Sequence, residues 1–305
     1  MARVMVTGAS GFIGGALRAR LAQQDVSLIC PTRSTAPAAP GWVRIPNDAG
    51  RAFWESQCAE VDAVVHLAGI AHTYRSGAEY RKANTEFTRL LAECCRSGGV
   101  GRFIFLSTAK VFGERSTIVP FDDDSPTAPQ TEYAASKCAA EIALRNVCED
   151  SAMDYVILRP PLVYGPGARG NLRTLVQLVS HRVPLPVAGI DNRRSLLQLD
   201  NLVDAICGCI TARRDLAASF TLCDATLSTP ELVKEIASLL HVKPRLFKMP
   251  RGLLNLLGTA VGRRRMVDAL TGSFVVRGDR IVVELGWQPP HSLRDGLARM
   301  VNNPG

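Results

Sequence analysis

No apolar run in this chain is long enough to cross a bilayer. The most apolar late stretch, Leu253 to Val261, is broken by Asn255, Gly258 and Thr259, whereas a span needs about 20 mostly apolar residues. The N-terminus runs directly into Val4-Met5-Val6-Thr7-Gly8 with no basic region followed by an apolar segment. No secretory signal is read there, and a cytoplasmic protein without stable membrane insertion is expected. The nine cysteines include no CxxC, and Cys94/Cys95 and Cys207/Cys209 lack zinc-knuckle spacing, so they read as reduced thiols used as small apolar side chains. Five scattered histidines without paired spacing argue against a metal site. The acidic run Asp122-Asp123-Asp124 has no further ligand beside it and reads as a solvated loop with capping roles. No basic stretch is interleaved with aromatics, which excludes a single-strand nucleic-acid binder.

What is present is an ordinary folded composition: 305 residues, 47% hydrophobic and 21% charged, enough for one large α/β domain or two modest ones. The formal net charge of +8 suits an anionic partner, and phosphates on small molecules are the expected ones. Short β-branched runs (Arg3 to Val6, Val26 to Cys30, Ala63 to His66, Arg102 to Leu106, Tyr155 to Leu158) alternate with helix-length segments (Phe12 to Gln23, Ala78 to Cys95, Glu132 to Cys148). That alternation predicts βαβ units and a parallel sheet covered on both faces, a doubly wound Rossmann-type α/β domain over residues 1–160. After Pro160-Pro161 the pattern loosens, and residues 161–305 are expected to form a smaller substrate-binding lobe without an independent core, some of its segments returning to the sheet. The segments near Asn201 to Thr211 and Pro230 to Leu240 are assigned to that lobe as helices.

The first strand runs into Gly8-Ala9-Ser10-Gly11-Phe12-Ile13-Gly14. Glycines at Gly8, Gly11 and Gly14 let the backbone turn sharply and approach a pyrophosphate seated on the free N–H groups of the following helix, with Phe12 and Ile13 in its first turn. An acid about 20 positions further on would hold the ribose 2′-hydroxyl of NAD. The sequence has Ile29-Cys30-Pro31-Thr32-Arg33-Ser34 there, a guanidinium and two hydroxyls. This favours NADP(H), with NAD(H) the alternative if Arg33 is only a solvated loop charge or stacks on adenine.

Tyr133-Ala134-Ala135-Ser136-Lys137 puts a phenol and an ammonium four residues apart on one helix face. A nearby fixed cation favours the phenolate, so Lys137 is expected to draw the Tyr133 phenol down from about 10 toward neutrality. Ser107-Thr108 follows the Arg102 to Leu106 strand at its C-terminal end, where α/β sheets bind ligands.

With these residues in place the chain resembles the extended short-chain dehydrogenase/reductases, specifically the NAD-dependent epimerase/dehydratase family acting on nucleotide sugars. The resemblance covers nearly the whole chain. It rests on Thr7 to Gly14, His66-Leu67-Ala68-Gly69, Asn84, Ser107 to Gly113, Tyr133 with Lys137, Arg159-Pro160-Pro161, Val163-Tyr164-Gly165-Pro166 and Leu285-Gly286-Trp287. It implies that Thr108 hydrogen-bonds the reacting oxygen, that Tyr133 is the general acid or base, and that Lys137 binds the nicotinamide ribose. Ala68, Gly69 and Asn84 would complete the cofactor contacts. His66 reads as a core residue at a strand end, and His72 as a surface one.

Departures from the family pattern narrow the reaction. Sugar-nucleotide dehydratases carry an Asp and a Glu after the Thr, where this chain has Ala109 and Lys110, so dehydration lacks its proton carriers. Lys110 either reaches the substrate or faces solvent. Leu162 replaces a substrate-contacting Asn of the family, with Asn171 the residue to take over, and Arg194 matches a diphosphate-binding position. Arg277-Gly278-Asp279 is expected to be only a helix start, and Leu253 to Arg265 a helical lid rather than a membrane-surface helix. The local resemblance is to the branch making surface-polysaccharide sugars. It implies NAD(P)H-dependent reduction of the 4-keto group of a UDP-4-keto-6-deoxy-N-acetylhexosamine, or alternatively UDP-hexose or UDP-N-acetylhexosamine 4-epimerisation. A non-catalytic dinucleotide sensor is the remote alternative. The resemblance also implies a homodimer paired through the helices around Ala78 to Cys95 and Glu132 to Cys148.

Overall fold

The computed structural model describes residues 1–34, 39–71, 75–168, 170–213, 216–260, 262 and 264–303. His72, Arg263, Val261 and residues 35–38 of the Pro/Ala-rich loop lie outside them. Among the described residues ten strands form: β1 (Ala2–Thr7), β2 (Val26–Thr32), β3 (Trp42–Arg44), β4 (Ala63–His66), β5 (Arg102–Leu106), β6 (Asp154–Arg159), β7 (Leu162–Tyr164), β8 (Arg194–Gln198), β9 (Ala217–Thr221) and β10 (Ala225–Leu227). The helices are α1 (Phe12–Leu21), α2 (Arg51–Cys58), α3 (Gly77–Tyr80), α4 (Phe87–Ser97), α5 (Glu132–Cys148), α6 (Asn171–Ser180), α7 (Leu199–Thr211), α8 (Thr229–Leu239), α9 (Arg251–Ala260), α10 (Arg264–Thr271), α11 (Asp279–Leu285) and α12 (Leu293–Asn302). None of the described helices is long and apolar enough to cross a membrane.

Seven strands make one sheet in the order β3-β2-β1-β4-β5-β6-β9, and every pairing in it is parallel. The order reverses direction at β1 and β4, which opens a crevice at the carboxyl ends of those strands, the ligand position of doubly wound sheets. The strands are apolar on both faces, as a doubly covered sheet requires. One face packs α1 and α7 through Leu17, Leu21, Leu202 and Ile206, and the other packs α2, α4 and α5 through Trp54, Leu91, Ala140 and Leu144.

Besides the five strands read from the sequence, the sheet holds β3, which at three residues is too short to carry a pattern, and β9, a segment after Pro160-Pro161 that returns to the sheet. Several expectations are corrected. Helix α7 belongs to the sheet, its Leu202, Val203 and Ile206 being buried against the strands. The C-terminal part does own a core: β10-β8-β7 form a second sheet, packed with α6, α8 and α12 around Tyr164, Leu175, Val176, Ile236 and Leu297. The stretch read as a single lid is two helices, α9 and α10, separated by Gly262 at φ +67°. The segment Ala78 to Cys95 is likewise composite, with α3 and α4 joined by a π-helical turn at Arg81–Glu86.

Candidate active site

The glycine turn is shaped by backbone contacts. Gly8 has φ +73°, and a Cβ on it would lie 2.8 Å from the Ala68 nitrogen. A Cβ on Gly14 would lie 2.1 Å from the Gly8 carbonyl oxygen, so the first turn of α1 presses directly on the loop. Gly11 is the N-cap of α1 and no side chain caps that helix. The amides of Phe12, Ile13 and Gly14 therefore have no intrahelical acceptor, and free donors at a helix N-terminus suit a pyrophosphate. This loop fits a dinucleotide. Ala68 is half-buried and Gly69 exposed along the same crevice.

Register then ties this turn to the next strand. Thr7 is paired with His66 between β1 and β4, and the Thr7 hydroxyl lies 2.7 Å from His66 Nδ1. His66 Nε2 lies 2.9 Å from the Thr88 hydroxyl, which itself donates to the Asn84 carbonyl at 2.5 Å. Because the Thr88 proton is used on Asn84, Nε2 is the protonated nitrogen and Nδ1 accepts from Thr7. The ring is fully buried, stacks on Phe105 with centroids 5.6 Å apart, and burial with the Lys137 charge holds it down at about 3. His66 is a neutral core residue.

Asn84, to which the resemblance assigns a cofactor contact, is tied into the protein around Gly69. Asn84 is fully buried, its Oδ1 accepts from Ile70 N–H at 2.8 Å, and its Nδ2 donates to the Ile70 carbonyl at 3.1 Å and to Ser136 Oγ at 2.9 Å. It sits in the π-helical turn, a common device at functional sites, and ties the segment after Gly69 to α5.

Helix α5 carries the phenol and the ammonium, as the spacing predicts, with Thr131 as N-cap accepting from Ala134 N–H at 3.2 Å. Lys137 is buried, donates to the Leu106 carbonyl at 2.9 Å and lies 4.5 Å over the Phe105 ring. Burial pushes it down from 10.5 to about 8, against the nearby Glu141 carboxylate. Tyr133 is half-buried and hydrogen-bonds the Thr108 side chain, and its ring centroid lies 6.1 Å from that of Tyr80. Its phenol is not drawn toward neutrality: burial pushes it up to about 12, the Thr108 contact only partly opposing. Lys137 is turned onto the end of β5, and its charge does not offset the desolvation of the phenol.

The remaining site residues lie in three places. Asn171, the exposed first residue of α6, and Arg194 line one small cavity of about 50 Å³ with Leu162, Leu172 and Leu270. Arg194 Nη1 donates to the Gly272 carbonyl at 3.1 Å, and burial lowers its guanidinium pKa. Lys110 is exposed and pairs with Glu114 at 2.8 Å, closer to Thr108 in the chain than to this cavity. Arg33 is exposed at the end of β2, beside a Thr32 hydroxyl 2.8 Å from that of Ser34. In the acidic loop, Asp122 accepts from Ser125 at 2.7 Å and Asp124 pairs with Arg280, and α11 starts after Gly278 as expected.

Sequence reasoning missed Tyr80 and the buried cluster behind Lys137, where Glu141 takes up Ser107, Arg159 and Arg145. The only signal for it in the sequence is an acid four residues past Lys137 on the same helix face.

Residues 4–221 match the NAD dependent epimerase/dehydratase family, and the chain belongs to it. A UDP-glucose 4-epimerase of Vibrio cholerae is 35% identical over 304 residues, 96% of this chain and 93% of that protein. Among solved structures, MoeE5 in complex with UDP-glucose and NAD aligns with a TM-score of 0.79 at 23% identity, covering 99% of this chain and 98% of that one. RMD from Pseudomonas aeruginosa complexed with NADPH aligns with a TM-score of 0.76 at 21% identity, covering 99% and 98%. The protein is an enzyme of the extended short-chain dehydrogenase/reductase type, an NAD(P)-dependent oxidoreductase or 4-epimerase of the nucleotide-sugar family.

Proposed function

We propose that the protein reduces the 4-keto group of a UDP-4-keto-6-deoxy-N-acetylhexosamine, with NADPH as reductant. The observation that carries this reading is Tyr133, a neutral phenol held by the Thr108 side chain with burial pushing it up to about 12. A neutral phenol is a proton donor, which is what a forming C4 alkoxide needs. Reduced nicotinamide, when bound along the glycine turn, supplies the hydride. Tyr133 gives the proton, Thr108 orients the oxygen, and Lys137 is assigned to the nicotinamide ribose. Arg194 is assigned to the substrate diphosphate and Asn171 to the same cavity, with Lys110 near Thr108. Elimination of water is unsupported, since Ala109 is buried and Lys110 pairs with Glu114.

NADP(H) in preference to NAD(H) is supported by the end of β2, where Arg33 is exposed and no acid stands. A homodimer through α4 and α5 is supported by Ile142 of α5, 53% exposed. A second reading, 4-epimerisation of a UDP-sugar by the same residues, is favoured by the likeness to the V. cholerae enzyme.

Loss of reduced-nicotinamide absorbance on mixing protein, NADPH or NADH, and the 4-keto sugar nucleotide tests the proposal. Stoichiometric oxidation faster with NADPH supports it, and Arg33→Ala then loses that preference. Tyr133→Phe lowers the rate by about 10²–10⁴-fold with the fold intact. No oxidation, with interconversion of UDP-N-acetylglucosamine and its C4 epimer, refutes the reductase in favour of the epimerase.

A further inference from the structure

Glu141 is a fully buried carboxylate that the proposed reaction does not use. It lies on α5 one turn beyond Lys137 and two beyond Tyr133, on their face of the helix. Its Oε1 accepts from the Ser107 hydroxyl at 2.5 Å and from Arg159 Nε at 3.1 Å, and its Oε2 from Arg159 Nη2 at 2.6 Å and Arg145 Nη2 at 3.3 Å. The neighbouring turn of the same helix grips the preceding residue, since Lys137 donates to the Leu106 carbonyl at 2.9 Å. Two successive residues of the β5 end, Leu106 and Ser107, are thus held from α5, and Thr108 is the next residue. On its other side this segment is pinned to β6 and its sequel, Ser107 N–H donating to the Leu158 carbonyl at 2.8 Å and Ala109 N–H to the Pro160 carbonyl at 2.9 Å.

We propose that Glu141 is a positioning residue: its carboxylate clamps the Ser107–Thr108 strand end against α5 and stands one turn from Lys137 as its counter-charge. The inference rests on the reading of Thr108, Tyr133 and Lys137 as the reacting set. Burial works against the Lys137 cation, and Glu141 is the group that opposes it. The other groups near Lys137 come from each element packed there. They are Tyr133 on α5, with Tyr80 of α3 behind it, and His66 on β4; Arg159 on β6 and Arg145 on α5 both pair with Glu141. His66 at about 3 and Tyr133 at about 12 are neutral through the range in which Lys137 titrates, so the charges that face Lys137 are the Glu141 carboxylate and the Arg159 and Arg145 guanidiniums paired with it, and of these the carboxylate is the one that favours the cation.

Removing Glu141 alone would leave Arg159 buried without its partner and threaten folding, so the test removes the pair together in E141Q/R159M, with S107A as the variant that cuts the clamp and keeps the charge. The chain has six lysines, Lys82, Lys110, Lys137, Lys234, Lys243 and Lys248, so ¹³Cε-labelled lysine gives a readable NMR titration, with the Lys137 signal identified by its loss in K137R. The wild-type midpoint is expected at about 8. In E141Q/R159M it falls, whereas in S107A it stays in place. In S107A the rate with the 4-keto sugar nucleotide drops about 10-fold through kcat with little change in KM, because Thr108 loses its support. An unshifted Lys137 midpoint in the double variant, or wild-type kcat in S107A, overturns the proposal. Wild-type protein that binds neither NADPH nor NADH overturns the proposed function instead, and the lysine titration reads the same in that case.

Discussion

Replacing Lys137 by Met separates stability from function. Lys137 is 5% exposed, and burial moves it from 10.5 to about 8. Between those two values the unfolded chain holds a proton that the folded protein has released. Stability therefore rises with pH across that window, and the full deficit is present below pH 8, amounting to roughly 3 kcal/mol. Methionine removes this deficit and still packs on the Phe105 ring. It also strips the Leu106 carbonyl of its 2.9 Å donor, a loss of about 1–3 kcal/mol. The expected balance at neutral pH is a gain of roughly 1 kcal/mol in urea unfolding, with activity abolished. Above pH 8 the wild type should gain stability with rising pH while K137M stays flat. A K137M protein clearly less stable than wild type at neutral pH, or a wild-type stability that does not rise above pH 8, would refute the reasoning.

Gly14→Ala forces a Cβ to within 2.1 Å of the Gly8 carbonyl oxygen and 2.7 Å of Ala9 Cα. Both neighbours are backbone, so the turn must shift, and calorimetry should show dinucleotide affinity reduced at least about 10-fold. His66 is depressed from 6.5 to about 3, so its contribution is complete above pH 6.5 and is lost as pH falls toward 3, up to roughly 5 kcal/mol. His66→Gln should accordingly flatten the fall of unfolding free energy through that acid window, and an unchanged slope would assign acid sensitivity to other groups.

The parts of the site that depend on neighbours in the chain are legible in the sequence. The glycine turn, the Tyr133/Lys137 spacing and the strand end at Ser107-Thr108 all lie where the residue pattern places them, because local backbone geometry and helical periodicity act over a few residues. The Glu132–Cys148 helix has the bounds that its sequence predicts. What the sequence does not show depends on distant contacts. Asn84 matches a cofactor-contact motif, and only the fold shows its amide bound to Ile70 and Ser136. The Tyr133 phenol is placed to fall by its spacing, which records that Lys137 is near but not that its ammonium turns to Leu106. That some later segments return to the sheet is an expectation the sequence supports, but which ones do so is decided by packing: the five-residue β9 carries too little pattern of its own, and α7 is placed by the burial of Leu202 and Ile206 against the strands.

By itself, then, the sequence determined the periodicities, the turn chemistry and the residue types: a parallel α/β sheet, a glycine loop for a pyrophosphate, a phenol and an ammonium on one helix face. Tertiary structure alone decided which of those groups are dry, which are charged, and what each polar atom spends its hydrogen bonds on. Desolvation and pairing depend on atoms that the chain brings together from far apart. Arg159 closes on Glu141 across a strand and a helix at 2.6 Å, a meeting that no local pattern encodes.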